Sequence, residues 1–104
     1  MARRVRLVVP TEVLVRDIDI RTLDAVDRAS KRPTRPVSIA SRELASNVGA
    51  SAATVHRAVV SSVESGFLVV DEQHLENGAQ LANTYALTKR GLAVLAAARD
   101  AGLV

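Results

Sequence analysis

The stretch Ser41-Arg42-Glu43-Leu44-Ala45-Ser46-Asn47-Val48-Gly49-Ala50-Ser51-Ala52-Ala53-Thr54-Val55-His56-Arg57-Ala58-Val59-Val60 decides how this chain folds. Its first part predicts a helix from about Ser41 to Val48, ended by Gly49, a residue free to take the positive φ of a tight turn. Ser51 then offers a hydroxyl to cap a new helix, an interaction worth about 1 kcal/mol. That helix carries Val55, Val59 and Val63 at four-residue spacing on one face, with Ala58 and Ser62 beside them. Leu44, Val48 and Val55 are expected to fill the wedge between the two helices. Ala45 and Ala58 are small, as a close crossing requires.

Working outward, Gly66 follows Ser65 as a stop for the second of these helices. Phe67 to Val70 then reads as an apolar strand, Glu76-Asn77-Gly78 as a hairpin turn, and Asn83 to Leu87 as the returning strand. Thr88 is placed to cap a last helix reaching about Ala101, before Gly102. Upstream, Arg4 to Val9 and Val13 to Val15 are β-prone runs split by Pro10. Ile20, Leu23, Val26 and Ala29 recur at three-residue spacing and predict a helix over roughly Asp19 to Ser30. Pro33 and Pro36 end it, and Val37 to Ile39 is a short strand candidate. The expected architecture is α+β and mostly helical, in a single domain over 1–104. Residues 1–36 form a basic segment and first helix, 37–87 the central helices and hairpin, and 88–104 the last helix.

The composition agrees with a small folded domain. Apolar residues make up 48% of the 104, but aromatics only 2%, so the core must come from Val, Leu, Ile and Ala. There is no cysteine, which excludes disulfides and thiolate metal sites. Pro10, Glu12 and Arg16 interrupt any apolar run after the basic first residues, so neither a signal peptide nor a membrane span is expected, and the expected location is cytoplasmic. Net charge is +3, and nine of the fourteen basic groups fall within residues 1–35. That balance fits a polyanionic partner. No glycine-rich phosphate loop, metal-ligand cluster or nucleophile paired with a base is present, so the chain is not expected to be an enzyme, nor to need a cofactor or metal.

The 41–60 stretch resembles a helix-turn-helix, and the order helix, helix, turn, helix, strand, turn, strand, helix is that of a winged helix-turn-helix with a small antiparallel β-wing and flanking helices. Ser65-Gly66-Phe67-Leu68 and Asn83-Thr84-Tyr85-Ala86-Leu87 resemble the second half of winged-helix domains in plasmid replication and transfer proteins. Val8-Val9-Pro10, with Val13-Leu14 and Arg16-Asp17, resembles their lead-in. Leu87-Thr88-Lys89-Arg90-Gly91 is similar to the wing exit of MarR-type and PadR-type regulators.

The resemblance implies a double-stranded DNA partner, read by the helix after Gly49. Its candidate contact residues are Ser51, Thr54, His56 and Arg57. Ala52 and Ala53 stand where many such helices carry long polar side chains; alanine can touch a thymine methyl but forms no bidentate base contact. Arg42, Lys89 and Arg90 are candidate phosphate ligands, since cations at helix starts oppose the macrodipole and call for a functional reason. His74 and Asn77 are the useful candidates on the wing, where Asp71, Glu72 and Glu76 repel phosphate. Arg3 and Arg4, with Arg6, are candidates for a basic arm. Arg57 serves equally as a base-contacting, phosphate-contacting or solvated residue on sequence grounds, and His56 likewise divides between contact and solvation.

The sequence alone favours a sequence-specific transcriptional regulator acting as a dimer, because one small recognition helix reads only a few base pairs. A plasmid or phage replication or segregation factor assembling on repeated sites is the alternative, and a winged-helix protein-interaction module is a third reading. The last helix carries an apolar face of Leu92, Leu95 and Ala96, widened by Ala93, Ala97 and Ala98 until it is apolar nearly all round. The core covers one side. The other side, shared with Leu23 and Val26 of the first helix, is the expected dimer surface; the alternative is a helix that lies flat on its own domain with alanines exposed.

Overall fold

The computed structural model describes residues 4–9, 12–32, 35–72 and 82–104. Along them run β1 (Arg4–Val8), β2 (Glu12–Arg16), α1 (Asp17–Ala29), β3 (Val37–Ile39), α2 (Ser41–Val48), α3 (Ala52–Glu64), β4 (Leu68–Asp71), β5 (Asn83–Leu87) and α4 (Lys89–Asp100). This is the expected α+β winged helix-turn-helix. β1 and β2 form an antiparallel hairpin, with Val5 opposite Val15 and Leu7 opposite Val13. β5 is the middle strand of a second antiparallel sheet ordered β3-β5-β4, with Val37 opposite Tyr85 and Leu68 opposite Leu87. β4 and β5 are the base of the wing. The expected turn at Glu76-Asn77-Gly78 lies outside the described residues.

α1 begins two residues before its apolar periodicity predicts, because a polar contact starts it. The Asp19 carboxylate accepts the backbone N–H of Arg16 at 3.2 Å and the Arg16 guanidinium at 3.1 and 3.0 Å. This holds the third helical residue back onto the cap. α1 then packs on α2, α3 and α4, and its Ile20, Leu23 and Val26 are fully buried. Around them lie Leu44 and Val48 of α2, Val55 and Ala58 of α3, Ile39, Leu68, Tyr85 and Leu87 of the sheet, and Val94, Leu95 and Ala98 of α4.

Two expectations change here. Leu95 is 0% exposed and so are Leu23 and Val26, so these side chains hold the domain's own core and are not a surface for a partner. The periodicity of α4 is apolar on both sides, and its packed side is the one carrying Val94 and Ala98; Ala93 and Ala96 face solvent and Leu92 is half-buried. On the packed side Arg99 donates to Asp24 Oδ1 and Asp27 Oδ2, both at 2.8 Å, across to α1. Val63 does not share the buried face of Val55 and Val59. A four-residue step turns an α-helix about 40° past a full turn, so two steps carry Val63 out to the surface and Ser62 takes the inward place.

Thr88 joins the wing to α4. Its hydroxyl donates to the Gly66 carbonyl at 2.6 Å and accepts the Gly91 N–H at 3.0 Å, while its backbone N–H donates to the Phe67 carbonyl at 3.1 Å. One residue thereby caps α4 and ties it to the end of α3. No helix among the described residues is long and apolar enough to cross a membrane.

Candidate nucleic-acid interface

The turn between α2 and α3 sets the direction of α3. Gly49 has φ 80° and ψ 36°, the left-handed conformation the sequence predicts. Its N–H and that of Ala50 both donate to the Ala45 carbonyl, at 2.9 and 3.2 Å. Arg21 of α1 donates its Nη2 to the Val48 carbonyl, so a cation sits at the C-terminus of α2, where the macrodipole favours it. Sequence reasoning placed Arg21 only among the basic N-terminal residues; its partner lies 27 residues away and no local pattern marks it.

Ser51 caps α3 as expected, its Oγ accepting the Thr54 N–H at 3.2 Å. The same Oγ donates to the Thr54 hydroxyl at 2.9 Å. Both hydroxyls are therefore partly engaged within the cap, which turns the outward chemistry of this end toward the Thr54 methyl, Ala52 and Ala53. All of these are exposed, as are His56 and Arg57 one turn further on. Val55, Ala58 and Val59 hold the opposite side of the helix in the core. The N-terminal half of α3 thus exposes Ser51, Thr54, His56 and Arg57 at the positive end of the helix dipole and carries no carboxylate of its own, while His56 and Ala52 also line the groove toward the wing base that Glu64 and Glu72 border. Glu64 lies at the far end of α3, and Asp71 and Glu72 at the end of β4.

The other candidates are more scattered. Arg42 is exposed in the first turn of α2, beside Glu43. Lys89 and Arg90 are exposed at the start of α4, but the Arg90 guanidinium stands 5.5 Å from the centre of the Phe67 ring. That cation–π contact gives Arg90 a packing role of its own. Arg4 is exposed on β1, in a hairpin that packs on α1 and α4 rather than beside α3. Arg3, His74 and Asn77 lie outside the described residues.

Residues 36–104, which contain the whole helix-turn-helix, the strands of the wing base and α4, match the family described as phage P1 replication protein RepL. The chain belongs to the RepL family. No curated protein matches the chain. Among solved structures, a protein of Ralstonia eutropha JMP134, provisionally described as DNA-binding, is 15% identical with a TM-score of 0.57, covering 79% of this chain and 94% of its own. A Methanosarcina mazei Go1 protein provisionally described as a transcriptional regulator is 17% identical, with a TM-score of 0.47 and 86% of each chain covered. The first of these likenesses is one of fold. The RepL match itself begins beyond α1, so the hairpin and α1 of this chain stand outside the matched span.

Proposed function

We propose that this chain is a replication protein that binds double-stranded DNA by laying the N-terminal half of α3 in the major groove. The observation that carries the reading is membership in a replication family over the very span that holds the helix-turn-helix. The sequence alone favours a transcriptional regulator; the family reverses that order and puts the replication alternative first. The fold likeness to a protein described as DNA-binding supports the same partner.

In this reading Arg57 and His56 reach base edges or the adjoining phosphates, while Ser51 and Thr54 hold the helix start against the backbone. Arg42, Lys89 and Arg90 neutralise phosphates beside the groove. A recognition helix with two alanines at its tip reads few base pairs, so the protein acts as a homodimer or as several copies on repeated sites. The test is binding of labelled duplexes over a range of salt. Log affinity should fall linearly with log salt, at a slope of about −0.9 for each phosphate neutralised. A footprint should appear within the DNA flanking its own gene. Affinity too low to measure for every duplex at low salt removes the DNA reading and leaves a protein-interaction winged helix.

A further inference from the structure

Two surface patches combine exposed large aliphatic side chains with charge. The first is the outer face of the β1–β2 hairpin, where Val8 is 73% and Leu14 52% exposed. Strand alternation puts Arg4 and Arg6 on the same face as Val8, and the register puts Arg6 opposite Leu14 and Val8 opposite Glu12. Arg6 and Glu12 approach to 3.5 Å, but both are solvated, so the pair is weak and the patch remains positive. The second patch is a groove of about 460 Å³ between α3 and the wing base. Val60 and Val63, 42% and 43% exposed, line it together with Val70 and Tyr85, Glu64 and Glu72 border it, and His56 stands at its α3 rim, shared with the side proposed to meet DNA. The hairpin packs on α1 and α4, whereas the groove is built from α2, α3, β4 and β5.

We propose that the hairpin face of one copy docks in the α3–wing groove of a second copy. Val8 and Leu14 meet the valine-lined groove, and Arg4 and Arg6 meet Glu64 and Glu72. Apolar surface is thereby covered by apolar surface, and the net positive hairpin face meets the carboxylates of the groove. The two patches differ, so the contact is heterologous: a bound copy still offers one free hairpin and one free groove, and the contact repeats head to tail. The hairpin face is small beside the ~1,200 Å² that stable complexes bury, which makes the contact weak between free molecules. Copies held side by side gain an effective concentration in the ~mM range. The docking does not itself depend on DNA.

The chain has no cysteine, so Leu14→Cys and Val63→Cys each introduce a single thiol. The two variants are prepared separately, checked for wild-type circular dichroism, mixed without DNA, and treated with a short bis-maleimide. The mixture should give covalent dimer many-fold above either variant alone, and a Leu14→Cys/Val63→Cys double variant should give a ladder of dimers, trimers and longer products. Adding Glu64→Arg to the Val63→Cys chain should cut the mixed product several-fold, and adding Arg6→Glu to its partner should restore it. Arg4→Cys with Val60→Cys is a second pair with the same expectation. Equal yields from the mixture and from single variants, or product confined to like-with-like pairs, overturns the proposal. DNA is absent throughout, so that failure leaves the DNA reading standing, and failure to bind DNA leaves the docking standing.

Discussion

Gly91 lies against the carbonyl of Phe67 so closely that a Cβ on it would stand 2.0 Å from the oxygen. The obstructing atom is backbone, already held by the Thr88 N–H, and has no rotamer by which to retreat. Gly91→Ala should therefore cost about 3 kcal/mol, the upper end of ordinary overpacking. Urea unfolding measures it; an unchanged midpoint would mean that α4 does not start against the α3–β4 connection.

The helix-turn-helix turn should be equally intolerant. Gly49 is left-handed, and a Cβ there would lie 3.2 Å from Arg21 Nη2. Gly49→Val should cost about 2 kcal/mol or more, since a β-branched residue strains at positive φ and the Arg21 contact must give as well. Thermal melts of Gly49→Val and Gly49→Asn compare the two terms. Asparagine, which tolerates this conformation better, should melt between valine and wild type.

On the side of α3 proposed to meet DNA, Arg57→Ala should weaken specific binding by about 1–3 kcal/mol and relax preference at one base position. Arg42→Ala and Lys89→Ala should weaken binding evenly across sequences and reduce the salt slope by about 1 each. Selection from random duplexes reads the first effect and salt titration the second. An Arg57→Ala protein that selects the wild-type sequence would take Arg57 out of the readout.

Acid should loosen the α1–α4 junction. Burial pushes the Asp24 carboxyl up, but the hydrogen bonds from Arg99 and Arg28 outweigh it and hold the group below its ordinary 3.8. A carboxyl with a lowered folded pKa contributes stability that is present above the unfolded value and is lost as pH falls through the folded value. The contribution of this group is thus constant near neutrality and declines below about pH 4. Arg99→Met removes the first of the two cations and should flatten that decline. Urea midpoints for both proteins at about pH 7 and about pH 3 test it; parallel losses would show that Asp24 does not carry the acid response.

Ser62 offers a gain. Its side chain is buried in the core, and its Oγ has no hydrogen-bond partner among the described residues. An unpaired hydroxyl keeps its desolvation cost, so Ser62→Ala should raise stability by about 1 kcal/mol. A lowered melting temperature would reveal a partner for that hydroxyl.

The parts of the fold that were legible from sequence are those fixed by neighbours in the chain. Gly49, the Ser51 cap and the Thr88 cap of α4 all rest on contacts spanning a few residues, and all are found where the sequence puts them. The local pattern fails where two distant surfaces choose between equivalent options. α4 is apolar on most sides, and it is contacts from distant parts of the chain, among them Gly91 against the Phe67 carbonyl and Arg99 on Asp24 and Asp27, that set Val94 and Leu95 inward. The start of α1 was obscured because Asp17 and Asp19 are polar and break the apolar rhythm that marks the rest. Of the candidate interface, Ser51, Thr54, His56 and Arg57 fall together because one helix carries them. The role of Arg90 beside Phe67 was hidden because only the folded chain brings that ring beneath it.

Arg21 reaching from α1 to the carbonyl of Val48 separates two kinds of boundary in this protein. Kinship with RepL starts at residue 36, but the cooperative unit starts earlier. A fragment cut at that boundary would retain the recognisable sequence and lose Ile20, Leu23 and Val26 from the interior, along with the guanidinium bound to the carbonyl of Val48 at the α2–α3 turn. The span that matches the family and the span whose side chains share one core are therefore not the same stretch of chain. Shortened versions made for binding work should keep the β1–β2 hairpin and Arg16 as well as α1, since Leu7 and Val15 are buried in the same core and Arg16 starts the helix; without them they will report on an unfolded α3.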